Sequence, residues 1–137
     1  WAINRLGKER IVDSAYPWRK LIESGAVLVN GTDAPVEPIN PIESFYASVT
    51  RKTLEGQPDT GYEPEEKMTR IEALESYTIN GAYAAFEENI KGSIEVGKLA
   101  DFTVLDQDIL TIQEDKILDT KILMTIIGGQ IKYNYFK

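Results

Sequence analysis

Ala26-Val27-Leu28-Val29-Asn30-Gly31-Thr32-Asp33 is the stretch on which the fold turns. Four apolar residues, two of them β-branched, run into an Asn-Gly pair, which is the composition and length of a buried strand over 26–29. Just upstream, residues 14–24 (SAYPWRKLIES) predict a short helix that starts near Ser14 or Ala15. Pro17 suits its first turn and Gly25 its C-terminal cap. Trp18, Leu21 and Ile22 fall at i, i+3 and i+4, so this helix has one apolar side. Helix, one-residue turn and apolar strand together make half of a β/α unit.

Working outward, prolines at 35, 38 and 41 keep residues 31–38 extended and irregular. Asn40-Pro41 then opens a helix, asparagine as N-cap and proline at the first position. Ile42, Phe45, Tyr46 and Val49 fall on one face of it. Residues 52–68, with Gly56, Pro58, Gly61 and Pro64, read as a surface loop. Thr69-Arg70-Ile71-Glu72 is a capping box, and Ile71, Leu74, Tyr77 and Thr78 continue a helical face. Asn80-Gly81 is expected to break that helix before a further helical turn over 82–86.

From Gly92 the period changes. Asp101–Asp106 alternates like a strand, a helical turn fits Glu114–Leu118, and the runs 122–127 and 130–135 flank Gly128-Gly129 as a hairpin. Two subdomains follow as an expectation: an α/β part over residues 1–90 and an antiparallel β part over 91–137.

Composition excludes several chemistries. Among 137 residues, 15 Lys and Arg stand against 22 Asp and Glu, a net charge of −7 that repels phosphate backbones and argues against nucleic-acid binding. There is no cysteine and no histidine, so neither a thiolate site nor an imidazole base or ligand is available. No run approaches the roughly 18 apolar residues of a membrane span, and no signal-peptide core is visible. With the absence of cysteine, this fits a cytoplasmic location.

Asp33 is the candidate for chemistry. It lies just past the carboxyl end of the expected strand, the edge at which β/α architectures build their sites, and a carboxylate there suits metal ligation or proton transfer. On spacing alone a turn or capping aspartate is the better reading. Glu37, Asp59 and Glu63 are further carboxylates with no fixed geometry. Glu63, Glu65 and Glu66 read as a solvated acidic face, and Arg51 as a C-terminal helix cap in preference to a ligand for a carboxylate. Trp18, Phe45, Tyr46 and Phe86 read as core aromatics.

Asn4–Arg10 (NRLGKER), Ala15–Arg19 (AYPWR) and Gly31–Pro38 (GTDAPVEP) together resemble the end of the barrel in YtcJ-like amidohydrolases, amidohydrolase type 3. Met68–Leu74, Thr78–Ala85, Lys91–Phe102 and Ile127–Ile131 are similar to the same family in order and spacing. The Gly-Lys-Leu-Ala-Asp block at 97–101 marks the wider superfamily; Tyr-Pro-Trp-Arg and Asp-Ala-Pro-Val-Glu-Pro point to this branch. Thr32 stands where serine is usual and Asn40 where aspartate is usual.

The resemblance implies a metal-dependent hydrolase of C–N bonds other than peptide bonds, acting on a small-molecule substrate through metal-activated water. It implies α/β plus β architecture: the last strand and helices of a (β/α)8 barrel, then the C-terminal strands of a small β-sandwich. Asp33 becomes the catalytic, metal-facing carboxylate that shuttles the proton, and the metal a divalent ion, zinc in the first instance. The substrate-binding residues stay unassigned. A catalytic zinc takes about three protein ligands, which one aspartate does not provide. The chain is therefore expected to be a C-terminal fragment, inactive and metal-free alone. The open edges of Val27–Val29 are expected to drive self-association or rearrangement of residues 1–30. The alternative is a non-catalytic interaction or regulatory module, of the kind named exoenzyme regulatory protein in the resembled branch.

Overall fold

In the computed structural model, which describes residues 2–137, the chain begins with α1 (Ala2–Leu6), α2 (Lys8–Ser14), α3 (Trp18–Glu23) and α4 (Pro41–Thr50). A 3₁₀ turn at Pro64–Glu66 leads to α5 (Arg70–Tyr77) and α6 (Ile79–Ala84). Strand β1 (Phe102–Leu105), a second 3₁₀ turn (Glu114–Asp119), β2 (Ile122–Ile127) and β3 (Gln130–Asn134) complete it. Trp1, where the sequence lacks a start methionine, lies outside the described residues, as does the side chain of Ser14, the expected first residue of the first helix.

Helix α4 forms as its sequence dictates. The Asn40 side-chain oxygen accepts the Ile42 amide at 3.1 Å, Pro41 fills the first position, and Arg51 ends the helix in a left-handed conformation with its amide on the Ala47 carbonyl. Ile42, Phe45, Tyr46 and Val49 are buried and form one cluster with Met68, Ala73, Ile109 and Ile117. Trp18, Ile22, Leu28, Leu74 and Tyr77 pack around that cluster. Ile109 and Ile117 come from the connection between β1 and β2, so one core joins the helices to the sheet.

The capping box of α5 is complete: Thr69 Oγ1 accepts the Glu72 amide at 3.2 Å and Glu72 Oε2 accepts the Thr69 amide at 2.7 Å. The three strands are antiparallel in the order β1-β2-β3, pairing Phe102 with Ile126 and Thr125 with Tyr133. Gly128 and Gly129 both have positive φ, 56° and 74°, which the tight turn between β2 and β3 requires.

Several expectations are corrected. The segment 26–29 belongs to no sheet, because among the described residues no strand pairs with it; Val27 and Val29 are half exposed and only Leu28 packs on the core. The helix expected over 14–24 starts at Trp18, with α2 already ending at Ser14. Pro17 disfavours a right-handed helical conformation at Tyr16, which adopts φ 59°, so the chain breaks between α2 and α3. The break after α5 falls at Thr78 and not at Asn80-Gly81, which lie inside α6. Phe86 is 93% exposed instead of buried, and Ile71 is exposed as well.

The acidic loop is not a solvated face throughout. Glu66 is 4% exposed, and its Oε2 accepts the Arg19 amide at 2.8 Å and the Lys20 amide at 3.3 Å. It therefore caps α3 from 47 residues away in sequence. The molecule exposes 9314 Å², against about 7,200 Å² for a folded monomer of this mass. Val36, Ile39, Ile94 and Val96 are among the large apolar side chains in that excess. No described helix is long and apolar enough to cross a membrane.

Candidate functional site

Among the described residues the segment carrying Asp33 has no strand to pair with, and its polar backbone groups find other partners. The Leu28 carbonyl accepts Asn80 Nδ2 of α6 at 3.0 Å, and the Asn30 amide donates to the Ser76 carbonyl of α5 at 3.0 Å. Asn30 Nδ2 donates to Ser48 Oγ of α4 at 2.7 Å, while its Oδ1 accepts the Gly31 amide at 3.0 Å. Three helices thus hold two residues of the segment, Leu28 and Asn30.

Beyond this anchor the chain turns sharply. Thr32 Oγ1 accepts the Ala34 amide at 3.3 Å, and the Asp33 carbonyl accepts the amides of Val36 at 2.8 Å and Glu37 at 3.2 Å. Asp33 itself is exposed and left-handed, with φ 57°, a conformation that aspartate tolerates better than most side chains. The Ala34-Pro35 bond that follows is cis.

The other carboxylates named from the sequence do not gather around Asp33. Glu37 is exposed, Asp59 accepts Gln57 Nε2 at 3.1 Å within its own loop, and Glu63 lies beside Arg51 with Oε2 3.9 Å from Nη2. Glu63 Oε1 is buried with no hydrogen-bond partner among the described residues, so this residue is also not part of a solvated face. Among the described residues no three His, Cys, Asp or Glu side chains are placed to hold a metal ion.

Arg51 caps α4 through its backbone, but its guanidinium has a different task from the dipole interaction expected. It is buried, donates from Nε to the Tyr62 carbonyl at 2.5 Å and from Nη1 to the Tyr16 carbonyl at 3.1 Å, and lies 4.7 Å from the Trp18 ring centre. Burial pushes its pKa down from the usual arginine value, with Glu63 opposing. With those donors committed, Arg51 joins the start of α3 to the end of α4.

An open groove of about 470 Å³ lies elsewhere, lined by Asn40, Lys121, Thr125, Tyr133 and Tyr135 among others, and Asp33 is not part of its wall. Asn30 is the residue that sequence reasoning missed at the Asp33 site. Its only sequence signal is Asn-Gly, which marks a turn but says nothing of a side chain reaching α4.

The amidohydrolase family model matches residues 1–133. YtcJ of Bacillus subtilis (strain 168), named as an amidohydrolase, is 37% identical over 133 residues, covering 97% of this chain and 25% of its own length. The N-substituted formamide deformylase of Arthrobacter pascens is 34% identical over 118 residues, 86% of this chain and 21% of its own. Among solved structures, an amidohydrolase from Thermotoga maritima MSB8 superposes with a TM-score of 0.58 at 22% identity over 87% of this chain and 26% of that one, a likeness of fold. The chain spans about a quarter of the length of these relatives.

Proposed function

The chain belongs to the amidohydrolase family, and on that premise we propose that it is the C-terminal part of a longer hydrolase acting on a non-peptide C–N bond of a small molecule. In this reading it supplies the last strand and helices of a barrel, a share of a small sandwich, and one reacting group. That group is Asp33. The observation that supports it is the exposed carboxylate on a left-handed turn, at the end of a segment held by α4, α5 and α6.

Asp33 is the general base and then the general acid. Its carboxylate takes a proton from the attacking water as oxygen adds to the carbonyl carbon. It returns that proton to the departing nitrogen as the C–N bond breaks, leaving carboxylic acid and amine. The family implies a divalent metal, but the residues present do not fit one: the chain has no histidine or cysteine, and one carboxylate falls short of the about three protein ligands of a catalytic zinc. The ligands belong to residues outside this chain.

The test begins with the intact mass of the natural protein that carries this sequence, which is expected several-fold above 15.4 kDa. N-substituted formamides are the first substrates to assay, because a relative is named for deformylating them. Asp33→Asn in that longer protein is expected to lower kcat by at least about 10²-fold with the fold intact. A natural product of this mass alone, or an Asp33→Asn enzyme of full activity, sinks the reading; the former outcome leaves the interaction module.

A further inference from the structure

We infer that Asn30 is a positioning residue for Asp33: by tying the chain to Ser48 of α4 and to Ser76 of α5, it sets where the carboxylate three residues later stands. The inference rests on the reading of Asp33 given above and adds to it a residue with a defined mechanical role.

Each bond of the anchor completes something that was unsatisfied. The last carbonyls of α5 have no intrahelical donors. Thr78 Oγ1 serves Leu74 at 2.8 Å and the Thr78 amide serves Glu75 at 3.1 Å, which leaves Ser76 to the Asn30 amide at 3.0 Å. In α4, Ser48 is 2% exposed and its Oγ donates back to the Ser44 carbonyl at 2.8 Å, so the oxygen's lone pairs are open to one incoming donor, Asn30 Nδ2. The orientation of the Asn30 amide follows, because its oxygen must face the Gly31 N–H.

One side chain therefore bonds a helix with its nitrogen and stiffens the next peptide with its oxygen, while its backbone binds a second helix. Three residues further on, the chain has turned and Asp33 is exposed. The short lever matters: three residues span at most about 10 Å, so a slip at Asn30 is transmitted to Asp33 with little slack. Aspartate at 30 would keep the acceptor for Gly31 and lose the donor to Ser48, which isolates the tie to α4 from the turn.

The experiment uses the longer natural protein with its hydrolysed substrate, comparing Asn30→Asp, Ser48→Ala, their double variant and Asp33→Asn. Misplacing a reacting group by about 1 Å costs on the order of 10²-fold. Asn30→Asp and Ser48→Ala are each expected to lower kcat about ten- to a hundredfold, with KM within about twofold. The double variant should be no slower than the worse single one, since both cut the same bond. The acidic limb of the kcat–pH profile should also move, and amide exchange over residues 31–34 should quicken. Ser93→Ala, at a hydroxyl whose bonds are to Glu95 and Lys98 and not to this segment, controls for general loss of stability and should leave kcat and profile unchanged.

Wild-type kcat, pH profile and exchange in both single variants, with Asp33→Asn inactive, overturns the positioning role and leaves the site reading standing. Equal losses in Ser93→Ala reduce the effect to stability and overturn it too. Full activity of Asp33→Asn removes the site reading and this inference with it.

Discussion

Glu72 and Arg19 form a two-pronged pair across 53 residues of sequence, with Nη1 to Oε1 at 2.7 Å and Nη2 to Oε2 at 2.6 Å. The same carboxylate closes the capping box of α5, so one side chain serves a helix terminus and a long-range contact together. Arg19 Nη2 also reaches the Lys67 carbonyl at 2.8 Å, which draws α3, the Pro64–Glu66 turn and the start of α5 into one unit.

The pair ties part of the acid stability to Glu72. The hydrogen bond from Arg19, aided by Thr69 and opposed by burial, holds the Glu72 carboxyl down at about 2. Because the folded value lies below the ordinary one, the stabilisation is fully present above about pH 4.5 and fades as pH falls toward 2. Both side chains are about a quarter exposed, so screening limits the loss in Glu72→Gln to about 1–2 kcal/mol at pH 7. Denaturant melts should show the two proteins converging between pH 4.5 and 2.5. A constant difference down to pH 2.5 would show that Glu72 is not titrating against Arg19.

Gly61 offers a steric test of the loop below Arg51. Its φ is 84°, and a Cβ placed there would lie 2.2 Å from the Thr50 carbonyl oxygen, a backbone atom that has no room to swing away. Gly61→Ala is expected to lose more than about 1 kcal/mol of stability from the left-handed backbone and the clash together. Gly56→Ala, also at positive φ but with open space around its Cβ, should lose less. Equal melting temperatures for the two variants would contradict this account of the loop.

The exposed surface predicts association of the isolated chain. It exceeds the folded-monomer expectation by about 2,100 Å², and a standard stable interface buries about 1,600 Å² in total. Sedimentation at micromolar concentration is expected to show species heavier than 15.4 kDa, with Val27→Asp or Val96→Asp shifting the distribution toward monomer. A single monomeric species over that range would refute self-association.

Some elements are legible in the amino-acid order because their causes are local. Asn40-Pro41 and the face of Ile42, Phe45, Tyr46 and Val49 are set by neighbours within two turns of helix. The same holds for the Thr69–Glu72 box and for Gly128-Gly129 between two β-prone runs. Asp33 is legible as a residue type after an apolar run, and its motif carries the family. The run itself misleads, since composition makes residues 26–29 strand-like but a ladder needs a neighbouring strand, and among the described residues none lies there.

The sequence by itself determined α4, the capping box and the hairpin through spacing and conformational preference along the chain, and the family through the resemblance of its motifs. Only the tertiary structure decided that Glu66 caps α3 from 47 residues away, that Arg51 lies against Trp18, and that Asn30 reaches Ser48 across 18 residues. The reason is physical. A helix cap or tight turn is fixed by dihedral angles within a few residues, whereas a buried polar group takes whichever partner the fold brings within about 3 Å, and that partner is decided by packing.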